Sequence, residues 1–128
     1  MDYVVALDTS AVIRYLTGDD QEKAEEVKKI LERGEVYVCG EVILETVYVL
    51  MSKRLDYRMP KEKVIELLEE FLTLKNVEIE DKIYLEALEL WKELGQVSFA
   101  DLVVCLKARR KGVKLFSYDE KLRKKCKI

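Results

Sequence analysis

Four acidic side chains stand in apolar stretches of this 128-residue chain, where a charge is unexpected. One ends the apolar run in "VVALDTSAVI", another interrupts "VILETVYVLM", a third lies in "SFADLVVCL", and the fourth follows "VKLFSY". These residues are Asp8, Glu45, Asp101 and Asp119. A buried charge is costly unless something pairs with it. Each acid therefore either has a structural role, such as capping a helix, or binds something.

A structural role is available for each acid taken singly. Asp8 and Asp119 stand where a helix N-cap would stand, and aspartate is a favoured N-cap. "SFAD" matches the capping-box pattern, with Ser98 as the cap and Asp101 reaching back to it. Glu45 could be a lone acid that extends to the surface. Residue type alone does not decide between these roles and a shared site.

The predicted geometry favours a shared site. The helix that follows Asp101 runs roughly 15 Å, at about 1.5 Å per residue. The strand that precedes Asp119 returns roughly 16 Å, at about 3.3 Å per residue. Asp8 ends a parallel strand, and Glu45 lies one turn into the helix after "VYVC". We therefore expect all four acids at the carboxyl ends of the strands, where open α/β sheets bind ligands.

A cluster of carboxylates requires a counter-charge, because like charges in a partly buried site do not all remain ionised. The chain contains no histidine, and its three cysteines form no Cys-x-x-Cys motif. Oxygen ligands alone favour Mg²⁺ or Mn²⁺, which suits the hydrolysis of phosphate esters. Four hydroxyl residues beside the acids are candidates to orient the ligands: Thr9, Ser10, Ser98 and Ser117.

Strands and helices alternate along the sequence, which predicts one α/β domain over residues 1–128 with a parallel sheet. The predicted strands are "YVVAL", which should be buried, "VYVC", "VEI" and "VKLFS". Helices are predicted over residues 9–17, 19–34, 40–54, 61–74, 81–95, 98–112 and 119–126. The helix over 40–54 is apolar around most of its circumference, so we expect burial on more than one side.

Composition limits the function classes. A net charge of −2 gives no global attraction to nucleic acid, so such binding requires a local basic patch. No apolar run is long enough to span a membrane, and the N-terminus lacks a signal-peptide pattern. Cys39, Cys105 and Cys126 are odd in number and widely spaced, which indicates reduced thiols in a cytoplasmic protein.

The acids, in the order "LDTS", "ILETVYVL", "SFADLVVCLKA" and "LFSYDEKL", resemble those of the PIN domain. The resemblance covers essentially the whole chain and is strongest to the ribonuclease toxins of VapBC-type toxin–antitoxin pairs. It implies a three-layer α/β/α sandwich with a central parallel sheet in strand order 3-2-1-4-5. The chain stops at "KKCKI", so the fifth strand should be short or absent.

The resemblance also implies an activity: a Mg²⁺- or Mn²⁺-dependent endoribonuclease whose catalytic and metal-binding residues are Asp8, Glu45, Asp101 and Asp119. Ser10 and Ser117 match positions that often carry a small hydroxyl or amide beside the site. The implied partners are RNA, an antitoxin protein and a second copy of the chain in a homodimer. Helix 41–54 or the "LDYRMP" turn should take part in that dimer.

Other functions fit the residues less well. A phosphatase of the haloacid-dehalogenase type needs a second aspartate where this chain has Ser10, and a receiver-like domain needs an acidic pair that "ALDTS" lacks. A catalytically silent PIN-like module that binds protein remains the main alternative. Arg14 and the basic runs "KARRK" and "KLRKKCK" are candidates to bind RNA phosphates, although cations at helix ends also complement the helix dipole.

Overall fold

A computed structural model describes residues 4–54 and 57–126, in which three strands and seven helices are found. The strands are β1 (Val4–Ala6), β2 (Glu35–Val38) and β3 (Val77–Ile79). The helices are α1 (Thr9–Thr17), α2 (Gln21–Arg33), α3 (Gly40–Met51), α4 (Lys61–Leu72), α5 (Ile83–Trp91), α6 (Phe99–Lys111) and α7 (Glu120–Lys125). No helix in these described ranges is long and apolar enough to cross a membrane.

The chain divides into two compact units, Met1–Asp81 and Lys82–Ile128. The first unit holds the sheet and α1 to α4, and the second holds α5 to α7. The single domain over residues 1–128 that the sequence indicates stays a prediction.

The sheet of the first unit is parallel, with the strand order β1-β2-β3. Val36 of β2 pairs with Val5 of β1 on one side and with Val77 of β3 on the other. Helix α2 packs against β2, and α4 packs against β3. The α/β class and the 3-2-1 part of the predicted strand order are therefore confirmed, with helices flanking a parallel sheet as expected of an α/β/α sandwich.

Strand β1 differs from the prediction of a buried strand. It pairs with β2 alone in the described sheet, Val4 is 59% exposed, and Ala6 is also exposed. An apolar run does not by itself distinguish a central strand from an edge strand, because edge position depends on pairing with distant parts of the chain. Only Leu7, just after the strand, reaches the core.

The fourth predicted strand, over residues 113–117, does not form. Gly112 ends α6 in the left-handed conformation, with φ of +73°, and the Val113 N–H donates back to the Ala108 carbonyl at 3.1 Å. That helix-ending hydrogen bond takes up the first amide of the segment. Phe116 is 77% exposed, so the β-forming side chains that predicted the strand have no strand partner to cover them.

The helices of the first unit agree with the sequence signals to within a few residues. Helix α1 ends at Gly18, whose φ of +64° suits glycine and whose N–H donates to the Arg14 carbonyl. Helix α3 ends at Met51, three residues before the predicted end, and its inward face is apolar except for Thr46. The largest fully buried side chains of this unit are Val12, Val36, Val38, Ile43, Leu50, Val64, Leu68 and Phe71.

Helices α5 and α6 pack together in the second unit. Trp91, at the end of α5, donates from Nε1 to the Val97 carbonyl at 2.9 Å and lies with its ring centroid 5.6 Å from that of Phe99. These contacts hold the connection between the two helices. Helix α5 is shorter than the predicted span of 81–95, because the segment after Trp91 turns toward α6.

Two of the three cysteines form a disulfide between Cys105 on α6 and Cys126 at the end of α7, with Cα atoms 5.8 Å apart. Both are buried, whereas Cys39 remains a free thiol. The prediction of reduced thiols is therefore wrong for this pair. The spacing of 21 residues does not reveal that α7 brings its end back to α6, so sequence alone could not pair them.

Candidate active site

Asp8 is the N-cap of α1, as the structural interpretation of this residue predicts. Its Oδ1 accepts a hydrogen bond from the Ser10 hydroxyl at 2.7 Å and another from the Ala11 N–H at 3.0 Å. The side chain is exposed rather than buried among its apolar neighbours. The local sequence "LDTSA" therefore does two things: Asp8 starts the helix, and its carboxylate stays accessible at the end of β1.

The same contacts keep Asp8 ionised. The hydrogen bond from Ser10 and then that from Ala11 lower the pKa of Asp8, and desolvation, which raises the pKa, does not outweigh them. Both donors favour the charged carboxylate over the protonated acid. Asp8 therefore carries a full negative charge at neutral pH, which is the form that binds a cation.

Glu45 lies on the outer face of α3. The inward positions of the helix are Val42, Ile43, Thr46, Val47 and Leu50, whereas Glu41, Glu45 and Tyr48 are exposed. The expectation that this helix is buried on more than one side is therefore wrong for the face that carries Glu45. The high proportion of apolar residues in this helix predicted burial all round, but its charged residues lie together on one face, and that face is exposed.

Asp8 and Glu45 line one cleft of about 540 Å³ in the first unit. The other lining residues are Thr9, Ser10, Ile13, Arg14, Glu41, Val42, Val49 and Tyr57. Two of the four predicted acids thus meet, together with the predicted Arg14, Thr9 and Ser10. Sequence analysis missed Glu41, although its spacing of four residues from Glu45 places both acids on one helical face.

Arg14 and Tyr57 belong to a small polar network at this cleft. The Arg14 Nη1 lies 3.0 Å from Asp19 Oδ2, and the Tyr57 hydroxyl donates to the same oxygen at 2.8 Å. The hydroxyl of Thr17 donates to Asp19 Oδ1 at 2.9 Å. Sequence analysis did not single out Asp19 or Tyr57, because neither stands in an apolar run and their separation of 38 residues gives no signal.

The other two predicted acids belong to the second unit. Half-buried Asp101 lies in the first turn of α6, where its N–H donates to the Ser98 hydroxyl at 3.1 Å. Asp119 is exposed and caps α7, and its Oδ1 accepts from the N–H groups of Lys121 and Leu122. The capping roles predicted for Ser98 and Asp119 are confirmed. Convergence of these acids with those of the first unit stays a prediction.

Ser117 contacts Asp119 through the backbone, because the Asp119 N–H donates to the Ser117 hydroxyl at 3.0 Å. Asp8, Ser98 and Asp119 thus each cap a helix through a side-chain oxygen. A cap uses one side-chain oxygen of an aspartate, so capping and ligand binding are compatible in a two-oxygen carboxylate.

The donor set of the cleft fits a hard divalent cation in type. Asp8, Glu41 and Glu45 offer carboxylate oxygens, and Ser10 and Thr9 offer hydroxyl oxygens. Within either unit, no three acidic or thiol side chains of the described residues form a group that could hold a metal ion. Mg²⁺ commonly keeps several waters and uses one or two carboxylates, so two of the three acids of the cleft, such as Asp8 and Glu45, suffice in number as its protein ligands.

Comparison with known proteins identifies the family of the chain. Residues 5–128 match the PIN domain family. The chain belongs to the PIN domain family. It is 32% identical over 126 residues to a VapC ribonuclease of Aquifex aeolicus, an alignment that spans 92% of this chain and 89% of the relative. The resemblance of the PIN motifs seen in the sequence is thereby confirmed at the level of the family.

A solved structure also aligns along nearly the whole chain. It is VapC20 of Mycobacterium tuberculosis, a sarcin–ricin-loop-cleaving toxin, with 17% identity over 98% of this chain and 97% of the other. The TM-score is 0.41, and at that value the likeness carries no conclusion about this PIN protein.

Proposed function

We propose that this PIN protein is a Mg²⁺- or Mn²⁺-dependent endoribonuclease, the toxin of a toxin–antitoxin pair, with Asp8, Glu45, Asp101 and Asp119 as its catalytic acids. The observation that carries the proposal is the meeting of Asp8 and Glu45, 37 positions apart in sequence, in one cleft lined by oxygen donors. The match to the PIN family over residues 5–128 and the similarity to a VapC ribonuclease support the same function.

The chemistry assigns separate tasks to the residues. Asp8 and Glu45 would hold the cation in the first unit, and Asp101 and Asp119 are the acids that the PIN resemblance assigns to the same function. When bound, the cation supplies charge neutralisation at the phosphoryl oxygens and lowers the pKa of water. The hydroxyl of Ser10 keeps Asp8 ionised and oriented by donating to its Oδ1. Thr9, Ser98 and Ser117 orient the remaining ligands.

Glu45 is the residue we assign to the attacking water. The water oxygen forms a bond to phosphorus as one water proton passes to Glu45, and the bond from phosphorus to O3′ breaks while the leaving O3′ takes a proton from a solvent water. The products are then a 5′-phosphate and a 3′-hydroxyl. Exposure of Glu45 on the outer face of α3 suits this role, because the carboxylate can reach a substrate that occupies the cleft.

Replacement of Glu45 by glutamine tests the assignment, because the shape is kept and the charge is lost. We expect cleavage of labelled RNA in Mn²⁺ to fall by at least ~100-fold, the scale of positioned acid–base and metal-assisted catalysis. Glu25→Gln, on an exposed position of α2, is the matched control and should cleave at the parent rate. Circular dichroism checks that both variants fold.

Three outcomes contradict the proposal. Cleavage by the Glu45→Gln variant at the parent rate makes Glu45 a surface acid without a catalytic role. Cleavage by the parent protein in EDTA removes the metal requirement. Failure of the parent to cleave any RNA or DNA with Mg²⁺ or Mn²⁺ favours a silent PIN-like module that binds protein.

The partners follow from the same proposal. A VapC-type toxin would act on RNA in the cytoplasm, bind an antitoxin protein and form a homodimer. Tyr48, on the exposed face of α3, is 63% exposed and is a candidate for the dimer contact. Leu55 and Asp56 of the "LDYRMP" turn, the other candidate, lie outside the described residues. Light scattering at micromolar concentration should give twice the chain mass, and a monomer mass contradicts the dimer.

A further inference from the structure

Apart from its acids, the cleft has an apolar wall that has no role in binding a metal ion or a phosphate. Ile13, Val42 and Val49 present aliphatic side chains there, and Tyr57 adds an aromatic ring. Neither a divalent cation nor a phosphate gains from such surface, because both bind through oxygen and charge. The flat face of a nucleotide base does gain from it, since single-stranded nucleic acid is held by stacking on aromatic side chains and by apolar contact.

Tyr57 is fixed in this wall from two directions. On its backbone side, the Arg58 N–H donates to the Ser52 carbonyl and the Met59 N–H donates to the Leu50 carbonyl at 2.8 Å. These bonds tie the segment to the end of α3. At the other end of the ring, the Tyr57 hydroxyl donates to Asp19 Oδ2 at 2.8 Å. A ring held at both ends loses little conformational freedom when a base binds.

Arg14 supplies the positive charge at the same place. It is the one cation among the lining residues of the cleft, and it lies four residues after Ser10, on the same face of α1. One helical turn, about 5.4 Å, thus separates Arg14 along the axis from the residue that donates to Asp8. Among the described residues, Asp19 accepts from only one guanidinium nitrogen, Nη1. The rest of the five-donor fork suits a phosphate.

Asp19 joins the two side chains. Partial burial alone raises the pKa of Asp19, but hydrogen bonds from Tyr57, Thr17 and Arg14 and the Arg14 charge lower it overall. Burial, with the bond to Asp19 and its charge, raises the pKa of Tyr57, so the phenol keeps its proton and donates. One carboxylate therefore orients both a guanidinium and an aromatic ring.

We propose that Tyr57 and Arg14 form a nucleotide subsite for single-stranded RNA, in which Tyr57 stacks on a base and Arg14 binds a phosphate beside it. Asp19 is the positioning residue of this subsite. The inference rests on the proposed function, because it takes RNA as the substrate of the Asp8–Glu45 cleft. It adds a binding determinant that is distinct from the catalytic acids.

The test measures binding without cleavage. A fluorescein-labelled single-stranded RNA oligonucleotide and an abasic version of it are titrated with the full chain in EDTA, and polarisation gives Kd. Tyr57→Leu keeps an apolar side chain without the ring and should weaken binding to the normal RNA about tenfold, the scale of one stacked base. Tyr57→Phe keeps the ring and should bind within about threefold of the parent. Glu25→Gln, on an exposed position of α2 outside the cleft, is the control and should bind both RNAs as the parent does.

The abasic RNA separates stacking from a local structural role. The parent should bind it about tenfold more weakly than the normal RNA, whereas Tyr57→Leu should bind both alike. If Tyr57 only braces the loop, both variants weaken both RNAs equally, and the stacking role is overturned. If the leucine variant does not fold, the affinities of the parent protein for the normal and the abasic RNA are sufficient. Equal affinity for the two RNAs contradicts a stacked base.

Arg14 and Asp19 are tested by salt dependence. Arg14→Gln should reduce the slope of log K against log salt by about 0.7, the value for one phosphate contact to a single strand. Arg33→Gln, at the end of α2, is the control and should leave the slope unchanged. Asp19→Ala should reduce the slope as Arg14→Gln does, and the double variant should add nothing further. Tighter binding by Asp19→Ala would show that Asp19 only screens Arg14, which overturns its positioning role.

Failure of this inference is distinguishable from failure of the proposed function. The binding assay contains no divalent cation, so its result is independent of whether Glu45→Gln loses cleavage. A chain that cleaves RNA in Mn²⁺ but shows no effect of Tyr57 or Arg14 on binding retains the ribonuclease function and loses the subsite.

Discussion

Breaking the Cys105–Cys126 disulfide should destabilise the second unit. The bond closes a loop across a sequence separation of 21 residues and joins α6 to the end of α7. Loop closure of this length in the unfolded chain corresponds to about 3 kcal/mol of unfolding free energy. For a chain of this size, that loss lowers the melting temperature by on the order of 10 °C.

Reduction is a cleaner perturbation than substitution, because serine in place of buried Cys105 or Cys126 adds the cost of a buried hydroxyl. Urea unfolding at neutral pH with and without a phosphine reductant gives the difference in free energy. The Cys39→Ser variant is the control, since it removes the free thiol and should respond to reductant as the parent does.

The location of the effect follows from the two units. The disulfide lies wholly in Lys82–Ile128, so reduction should lower hydrogen-exchange protection in α6 and α7 and leave α2 to α4 unchanged. The reasoning is refuted if three thiols react in the unfolded parent protein without reductant, or if reduction leaves the unfolding curve unchanged.

Three further predictions concern the first unit. Thr46→Val should raise the free energy of unfolding by about 1 kcal/mol in urea titrations. The fully buried Thr46 hydroxyl has no hydrogen-bond partner among the described residues, and valine has the same shape. A loss of stability in the variant contradicts this prediction. Asp8→Asn should leave the metal-free melting temperature unchanged or raised, since asparagine caps nearly as well, yet weaken Mn²⁺ binding in calorimetry; unchanged affinity would leave Asp8 a cap only. Acidification should destabilise the parent more than Asp8→Asn, because the pKa of folded Asp8 lies below its unfolded value. The contribution of ionised Asp8 to the free energy of unfolding is therefore present above about pH 3.9 and is lost as the pH falls through the folded pKa. Urea unfolding from pH 6 to pH 2.5 would measure this loss.

The elements that sequence predicted well are those with local signals. Helix α1 begins after Asp8 and ends before Gly18, and both residues act within a few positions of themselves. Strand β3, "VEI", has the predicted bounds, and the sheet has the predicted order in its first three strands. Helix periodicity and helix caps depend on residues that are close in sequence, so they can be predicted from a single sequence.

The features that sequence missed depend on distant contacts. Whether β1 is central or at an edge, and whether residues 113–117 pair with any strand, depends on backbone groups far along the chain. The disulfide likewise depends on the path of α7 back to α6. In each case the local composition was compatible with both outcomes, and tertiary contact selected one.

The cleft shows the same division within a functional site. Asp8 and Glu45 were predictable because a carboxylate in an apolar run is conspicuous, and the topology of a parallel sheet indicates where such acids meet. Tyr57 follows a connecting segment and Asp19 lies in a polar one, so neither is conspicuous in the sequence. Their hydrogen bond, across 38 residues, gives both a place at the cleft. The acids proposed as catalytic are thus conspicuous by their apolar sequence neighbours, whereas the residues proposed to bind and orient substrate become visible only through the contacts that hold them.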